Sequence, residues 1–325
     1  MSGVQQLPVP EHDAGQRLDR WFKRLFPHVP HGKVEKLMRT GQLRVDGKRV
    51  KGAHRLEAGQ VVRVPPLPDP ETVRKSASER DVAKLREWAL YEDADLLAIN
   101  KPFGLAVQGG TKTKRHIDGM LPEGFRLVHR LDRDTSGVLL IAKSAAAAKW
   151  AGKAFQSRRA RKVYWGVTNG VPHPLSGEIK GYVAKGVLDN RFGNIHAGKE
   201  VMEPVRHGDP GAKHARTLFE AVATAGSKAA FVAMMPLTGR THQLRLHMQM
   251  LGAPLAGDPK YMTDRPLPGG LAEKLHLHAR ELSIPKPDGS SLTFTAPLSE
   301  HMQQSFQLLG FDGSEAANID WDGLQ

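Results

Sequence analysis

Leu18, Trp21, Phe22 and Leu25 recur at i, i+3, i+4 and i+7, the period of a helix with one buried face. Pro27 and Pro30 end that period. Val34, Leu37 and Met38 start a second helical stripe, which stops near Gly41. The pattern then changes. Asp46-Gly47 separates two short runs within residues 43–50, a tight-hairpin signal, and residues 61–64 read as a strand after a turn at Ala58-Gly59. Two helices and a hairpin make one small module over residues 15–64, with residues 1–14 expected to be loosely held. Pro65, Pro66, Pro68 and Pro70 then mark a stiff linker, continued by a mixed charged stretch over residues 65–89.

A larger α/β pattern occupies residues 90–300. Residues 96–99 form an apolar strand that ends in a turn at 100–104. Residues 125–128 and 138–142 are strand-like and flank a polar turn. Residues 144–155 are alanine-rich and read as helix. A basic stretch from Ser157 runs into a strand around Val163 to Val167. Residues 170–215 have weak periodicity and read as irregular, sheet-edge structure. Residues 215–222 and 229–235 pair as strands, and Leu244, His247, Met248 and Leu251 repeat at helical spacing. Residues 275–279 alternate as a strand. The tail, 301–325, carries four acids and no base after Gly310 and reads as solvated.

Composition narrows the class. The 325 residues contain no cysteine, which removes disulfides, thiol nucleophiles and cysteine-ligated metals. No apolar run approaches the roughly 18 residues of a membrane span, and the first residues lack the regions of a secretory signal. A cytoplasmic protein fits. The net charge is +13 and favours a polyanionic partner, nucleic acid before membrane surface. Residues 17–63 hold 13 Lys/Arg and 4 Asp/Glu, a difference of +9. Arg17, Arg20, Lys33, Lys36, Arg39, Arg44, Lys48 and Arg49 are the candidate phosphate contacts. The plainer reading is a generally solvated basic surface.

The chemistry points to the turn His129-Arg130-Leu131-Asp132-Arg133-Asp134-Thr135-Ser136-Gly137. Polar turns between strands are where a scaffold presents reactive groups. Arg130 and Arg133 flank Asp132, and nearby cations lower a carboxyl pKa. Asp132 is therefore expected to be ionised, as a nucleophile or base. The alternative is a loop held by surface ion pairs worth about 0–1 kcal/mol. A glycosidase needs two carboxylates across a bond, and Asp134, two residues on, points to the other side of an extended chain. His242 and His247 lack helical metal-ligand spacing and read as hydrogen-bonding residues. His276 and His278 share one face of their strand, where a metal is conceivable.

The turn, with Thr135-Ser136-Gly137, resembles the signature of the RluA family of RNA pseudouridine synthases. Three further stretches resemble that family in order: Asn100-Lys101-Pro102-Phe103-Gly104, Lys162-Val163-Tyr164, and Gly239-Arg240-Thr241-His242-Gln243-Leu244-Arg245 with the segment from Gly252 to Tyr261. Gln108 stands where many members have histidine. Residues 15–64 resemble the S4 RNA-binding domain. The resemblance covers about residues 15–300. It implies an α+β catalytic domain on a mixed, mainly antiparallel sheet, preceded by the S4-like module. It also implies isomerisation of uridine to pseudouridine without cofactor or metal; the protein is expected to act as a monomer, with no membrane partner. Asp132 would be the catalytic aspartate, Arg240 its cationic partner, and Tyr164 the residue that stacks on the base and is a candidate proton acceptor. Arg130 would fill the space left by the displaced base or hold phosphate. The module and residues 29–37 resemble the branch acting on 23S ribosomal RNA. Another rRNA site, a tRNA, or a catalytically silent RNA-binding assembly protein are the alternatives.

Overall fold

The computed structural model of the chain describes residues 3–27, 29, 31–67, 77–110, 113, 115–187 and 200–324. The chain divides into two compact units, Met1–Ser76 and Ala77–Gln325.

In the first unit the two helical stripes fold as expected. Helix α1 (Leu18–Leu25) buries Leu18, Trp21 and Phe22, whereas Leu25 is 43% exposed because the helix ends there. Helix α2 (His31–Arg39) buries Val34, Leu37 and Met38. The Asp46-Gly47 turn has both residues at positive φ, 47° and 75°, as a two-residue hairpin turn requires. Strand β1 (Gln5–Pro8) pairs with β3 (Val61–Val64), and β3 with β2 (Arg44–Val45), all antiparallel. The module therefore begins well before residue 15, and residues 5–8 are held by main-chain pairing. Asp13 is buried and accepts a hydrogen bond from the Trp21 indole at 2.9 Å.

The expected linker is shorter than its composition suggests. Leu67 packs into the first unit's core. Helix α3 (Glu79–Glu87) starts on a Ser78 cap and buries Leu85 in the second unit. Residues 68–76 lie outside the described residues.

The second unit is built on an 11-stranded sheet. Its strands are β4 (Ala89–Glu92), β5 (Leu96–Lys101), β6 (Arg126–Leu127), β7 (Ser136–Ala142), β8 (Arg161–Asn169), β9 (Ser176–Val187), β10 (Glu200–Val205), β11 (Lys213–Ala225), β12 (Ala229–Pro236), β13 (Leu277–Pro285) and β14 (Ser291–Thr295). The order is β10-β9-β11-β12-β8-β13-β7-β5-β4, with β14 on β13 and β6 on β7. Every pairing among them is antiparallel except β13 with β7. The sheet is thus mixed and mainly antiparallel. The described parts of residues 170–215 are more regular than their sequence suggests: β9 is a 12-residue inner strand, and β10 forms the edge beside it; residues 188–199 lie outside the described residues.

Helix α4 (Ala145–Gln156) is capped by Ser144 and buries Ala147, Ala151 and Ala154, small residues that let it lie close to the sheet. Helix α5 (Gln243–Met250) follows β12 directly. The tail is folded, not solvated. Helix α6 (Glu300–Leu309) puts Met302 and Phe306 into a cluster with Trp165 and Phe231, and Phe311 and Trp321 close over it. Four acids in a short stretch mask two apolar anchors.

Candidate active site

The turn between β6 and β7 is fixed from three sides. His129 is half-buried, and its Nε2 accepts the Leu140 backbone N–H at 2.8 Å. The ring stacks on Phe155 of α4 at 4.6 Å. Burial pushes its pKa down to about 3, so it serves as a neutral acceptor. Lys101, at the end of β5, is wholly buried. Its ammonium donates to the carbonyls of Pro102, Leu105 and Arg133 at 2.9, 2.8 and 3.0 Å. Burial lowers its pKa to about 7 against the opposing charges of Asp134 and Asp132. At the far end of the turn, Gly137 has φ 108°, and a Cβ there would overlap the Ala279 backbone across the parallel pair.

Asp132 faces a cleft of about 800 Å³. Tyr164 of β8 and Leu277 form part of its lining, as do residues 236–245, which link β12 to α5. Arg130, Arg158, Lys162, Arg240 and Arg245 line it, with Asp132 as the one carboxylate among the described residues. Such a cleft suits a polyanion.

The cation against Asp132 is Arg245, not Arg240. Arg245 Nη1 lies 3.7 Å from Asp132 Oδ2. Arg240 lines the cleft but points its Nε at the His214 carbonyl, 2.9 Å away. Arg240 is in the loop before α5, while Arg245 is the third residue of the helix, on its buried side. Leu244, Arg245 and Met248, at i, i+1 and i+4, share the buried side of the helix, so the sequence did carry a signal: an arginine beside apolar residues on a buried face needs a carboxylate. Arg245 finds a second one in Asp258, whose side chain is wholly buried.

The expected fall in the Asp132 pKa is also reversed. Removal from water raises it, and Arg245 and then Arg130 oppose that without overcoming it. Arg133 does not contribute as expected, because its guanidinium is paired with Asp134 at 2.9 Å. Burial, then the Asp132 charge, pushes the Tyr164 phenol far above its ordinary value. Tyr164 is thus held as a neutral hydroxyl. His242, at the start of α5, brings its Nε2 to 4.0 Å from Asp132 Oδ2. Burial, aided by Arg245, lowers its pKa to about 3.

The other histidines singled out in the sequence, His247, His276 and His278, are hydrogen-bonded. His247 Nδ1 is 2.9 Å from Thr217 Oγ1. His278 Nδ1 is 2.9 Å from Ser136 Oγ, and His276 Nε2 is 2.7 Å from Ser305 Oγ. Gln108 lines the cleft. Of the loop at 109–115, residues 111, 112 and 114 lie outside the described residues.

In the first unit, Arg20, Lys33, Lys36, Arg39, Lys48 and Arg49 are exposed. Arg17 is turned to Asp19, with Nε 3.1 Å from Oδ1. Arg44 donates to the Gly41 carbonyl at 2.8 Å. These two are engaged within the module, which leaves six side chains of the expected set facing solvent.

Residues 95–250 match the family model described as RNA pseudouridylate synthase. A protein of Vibrio cholerae, ribosomal large subunit pseudouridine synthase C, is 35% identical over 93% of this chain and 96% of its own length. The proteins of that name in Escherichia coli K12 and Rickettsia bellii are 32% and 34% identical, over 94% and 83% of this chain and 97% and 90% of theirs. Among solved structures, human RNA pseudouridylate synthase domain containing 4 aligns with a TM-score of 0.59 at 27% identity, over 71% of this chain and 97% of that one.

Proposed function

The chain belongs to the RluA family of RNA pseudouridine synthases, and we propose that it isomerises specific uridines of 23S ribosomal RNA, with Asp132 as the group that acts on the sugar. The relatives named as large-subunit synthases match across nearly their whole length, which supports the ribosomal substrate. The observation that carries the role of Asp132 is its position: among the described residues it is the single carboxylate of a basic cleft, 3.7 Å from a buried arginine.

The target nucleotide leaves its stack to enter the cleft. The N1–C1′ bond breaks, the uracil turns, and C5 bonds to C1′. C5 gives up its proton and N1 gains one, so the reaction is an isomerisation with no net redox change. Asp132 either attacks C1′ or takes the 2′ proton, and both routes use its ionised form. Arg245 stabilises that form, and Tyr164 holds the uracil face. Arg130, exposed at the cleft, contacts phosphate or fills the vacated stack. Arg240 is assigned to the RNA backbone rather than to Asp132. The N-terminal module acts as an S4-type RNA-binding domain through its six exposed bases. The reading places a monomer in the cytoplasm, where ribosomal RNA is modified.

The test is carbodiimide-adduct primer extension on unmodified 23S rRNA after incubation with the protein, beside Asp132→Asn. New stops with the native protein alone establish the reaction and its uridines. Stops only on a tRNA pool would overturn the substrate. Tight binding with no stops on either RNA would leave a silent binding protein.

A further inference from the structure

The loop after α5 sends two side chains back to one oxygen of Asp132 by separate routes. On the first route, Asp258 Oδ2 and Oδ1 accept Arg245 Nε and Nη2 at 2.7 and 2.6 Å. The remaining amino group, Nη1, is the one 3.7 Å from Asp132 Oδ2. On the second, the Tyr261 hydroxyl accepts the Met202 N–H at 2.8 Å and lies 3.1 Å from His242 Nδ1. His242 Nε2 is 4.0 Å from the same Asp132 Oδ2. The loop itself is pinned. Asp258 Oδ1 also accepts the backbone N–H groups of Lys260 and Tyr261 at 2.9 and 3.1 Å. Gly257 has φ 67°, and a Cβ there would overlap the Lys274 backbone.

We infer that Asp258 and Tyr261 are positioning residues for Asp132: Asp258 restrains Arg245, and Tyr261 fixes the His242 tautomer so that an N–H faces the carboxylate. The inference rests on the proposed role of Asp132 and goes further, to what holds that residue ready.

The argument for Tyr261 is one of proton placement. Its oxygen already accepts from Met202, and its own proton is directed to the nearest acceptor, His242 Nδ1. A ring nitrogen that accepts carries no proton, so the proton sits on Nε2. The opposite tautomer would turn a lone pair toward the Asp132 oxygen. His242 also holds a left-handed backbone, φ 50° and ψ 20°, a costly conformation for a residue other than glycine. Tyr261 packs edge-on against its ring at 5.7 Å.

The argument for Asp258 is one of competition. A guanidinium prefers two parallel bonds to one carboxylate. Arg245 makes them with Asp258, so Asp132 receives positive charge without having both oxygens capped. Without the Asp258 charge, Arg245 would turn to chelate Asp132 and block the oxygens that must reach the sugar.

Two measurements on the full chain test this. The first is nitrogen-15 NMR of histidine-labelled protein, with His242 assigned by its loss in His242→Gln. The native protein should show the Nε2–H tautomer, and Tyr261→Phe should lose it or mix it with the other. An Nδ1–H tautomer in the native protein overturns the role of Tyr261. The second is single-turnover isomerisation at saturating RNA, paired with filter binding. Asp258→Asn and Tyr261→Phe should each slow the reaction about tenfold or more, as expected for a displaced reacting group, with RNA affinity unchanged within about twofold. Asp258→Glu should recover part of the loss. Native rates in folded Asp258→Asn overturn the role of Asp258. If that variant does not fold, a native rate in Asp258→Glu combined with a native rate in Tyr261→Phe overturns the inference. Failure of the underlying reading looks different: Asp132→Asn would remain active whatever the tautomer of His242.

Discussion

Gly137 and Ala279 lie so close across the parallel pair of β7 and β13 that no side chain fits between them. Gly137 holds φ 108°, and a Cβ would overlap the Ala279 backbone. Both strands are buried there, so neither can withdraw. Gly137→Ala should lower stability by about 3 kcal/mol or more, from overpacking plus an unfavourable backbone region. It should also displace Asp132, five residues away. Thermal unfolding together with the isomerisation rate checks this; an unaltered melting temperature would show that the strands can separate without cost.

Arg245 and Arg240 should separate by phenotype. Arg245→Gln removes the cation at Asp132 and leaves Asp258 buried without its partner. The rate should fall on the order of 100-fold, and stability by about 3–5 kcal/mol. Arg240→Gln should mainly weaken RNA binding, with the rate at saturating RNA near native. The opposite ranking would restore Arg240 as the partner of Asp132.

Asp132 should cost stability at neutral pH. Its folded pKa is raised by burial, so the fold favours its protonated form. The stability it contributes is full below the ordinary carboxyl value of about 3.8 and is lost as pH rises through the raised value. Asp132→Asn should therefore melt higher than the native protein at pH 7, with the gap closing toward pH 4. The isomerisation rate should fall as pH drops through the same raised value. A native protein more stable than Asp132→Asn at pH 7 would contradict the direction of the shift.

Buried and half-buried histidines should make the fold acid-sensitive well above the carboxylate range. Burial lowers His129 and His242 to about 3, and His247, His276 and His278 to about 4. Unfolded histidine titrates near about 6.5. Each group's contribution is full above that value and is lost as pH falls from there through the folded value. The melting temperature should decline steadily below about pH 6.5, and less so in His129→Gln than in the native protein. A flat profile down to pH 5 would rule this out.

Lys33, Lys36 and Arg39 lie on the solvent side of α2, opposite Val34, Leu37 and Met38. Converting all three to glutamine should weaken RNA binding and reduce the slope of log affinity against log salt by about 2. The rate at saturating RNA should hold. An unchanged salt slope would remove this face from the RNA contact.

What the sequence revealed depended on how local the controlling interaction was. Helices α1 and α2, the Asp46-Gly47 turn, and strands β5, β7 and β12 were legible because their own periodicity or turn chemistry specifies them. Lys101 was visible as a motif position, but its burial was not. The pairing of Asp132 was misread because Arg240 and Arg245 sit in one short segment, and only the helical phase of α5 tells which turns inward. The sign of the Asp132 shift was misread because flanking residues are printed side by side, whereas desolvation comes from distant strands. The tail was misread for the same reason: Phe311 and Trp321 meet Trp165 only in three dimensions.

The parallel junction also sets when the site can exist. Ser136 and His278, 142 positions apart, are joined across it at 2.9 Å. Contacts between such distant residues form late, since a long loop must close first. During synthesis the turn that carries Asp132 emerges long before β13, the strand that completes its support. A nascent chain, or a product truncated before β13, would contain every residue of the turn and still lack the surface that shapes it. RNA modification by this protein should accordingly begin only once nearly the whole chain has been made.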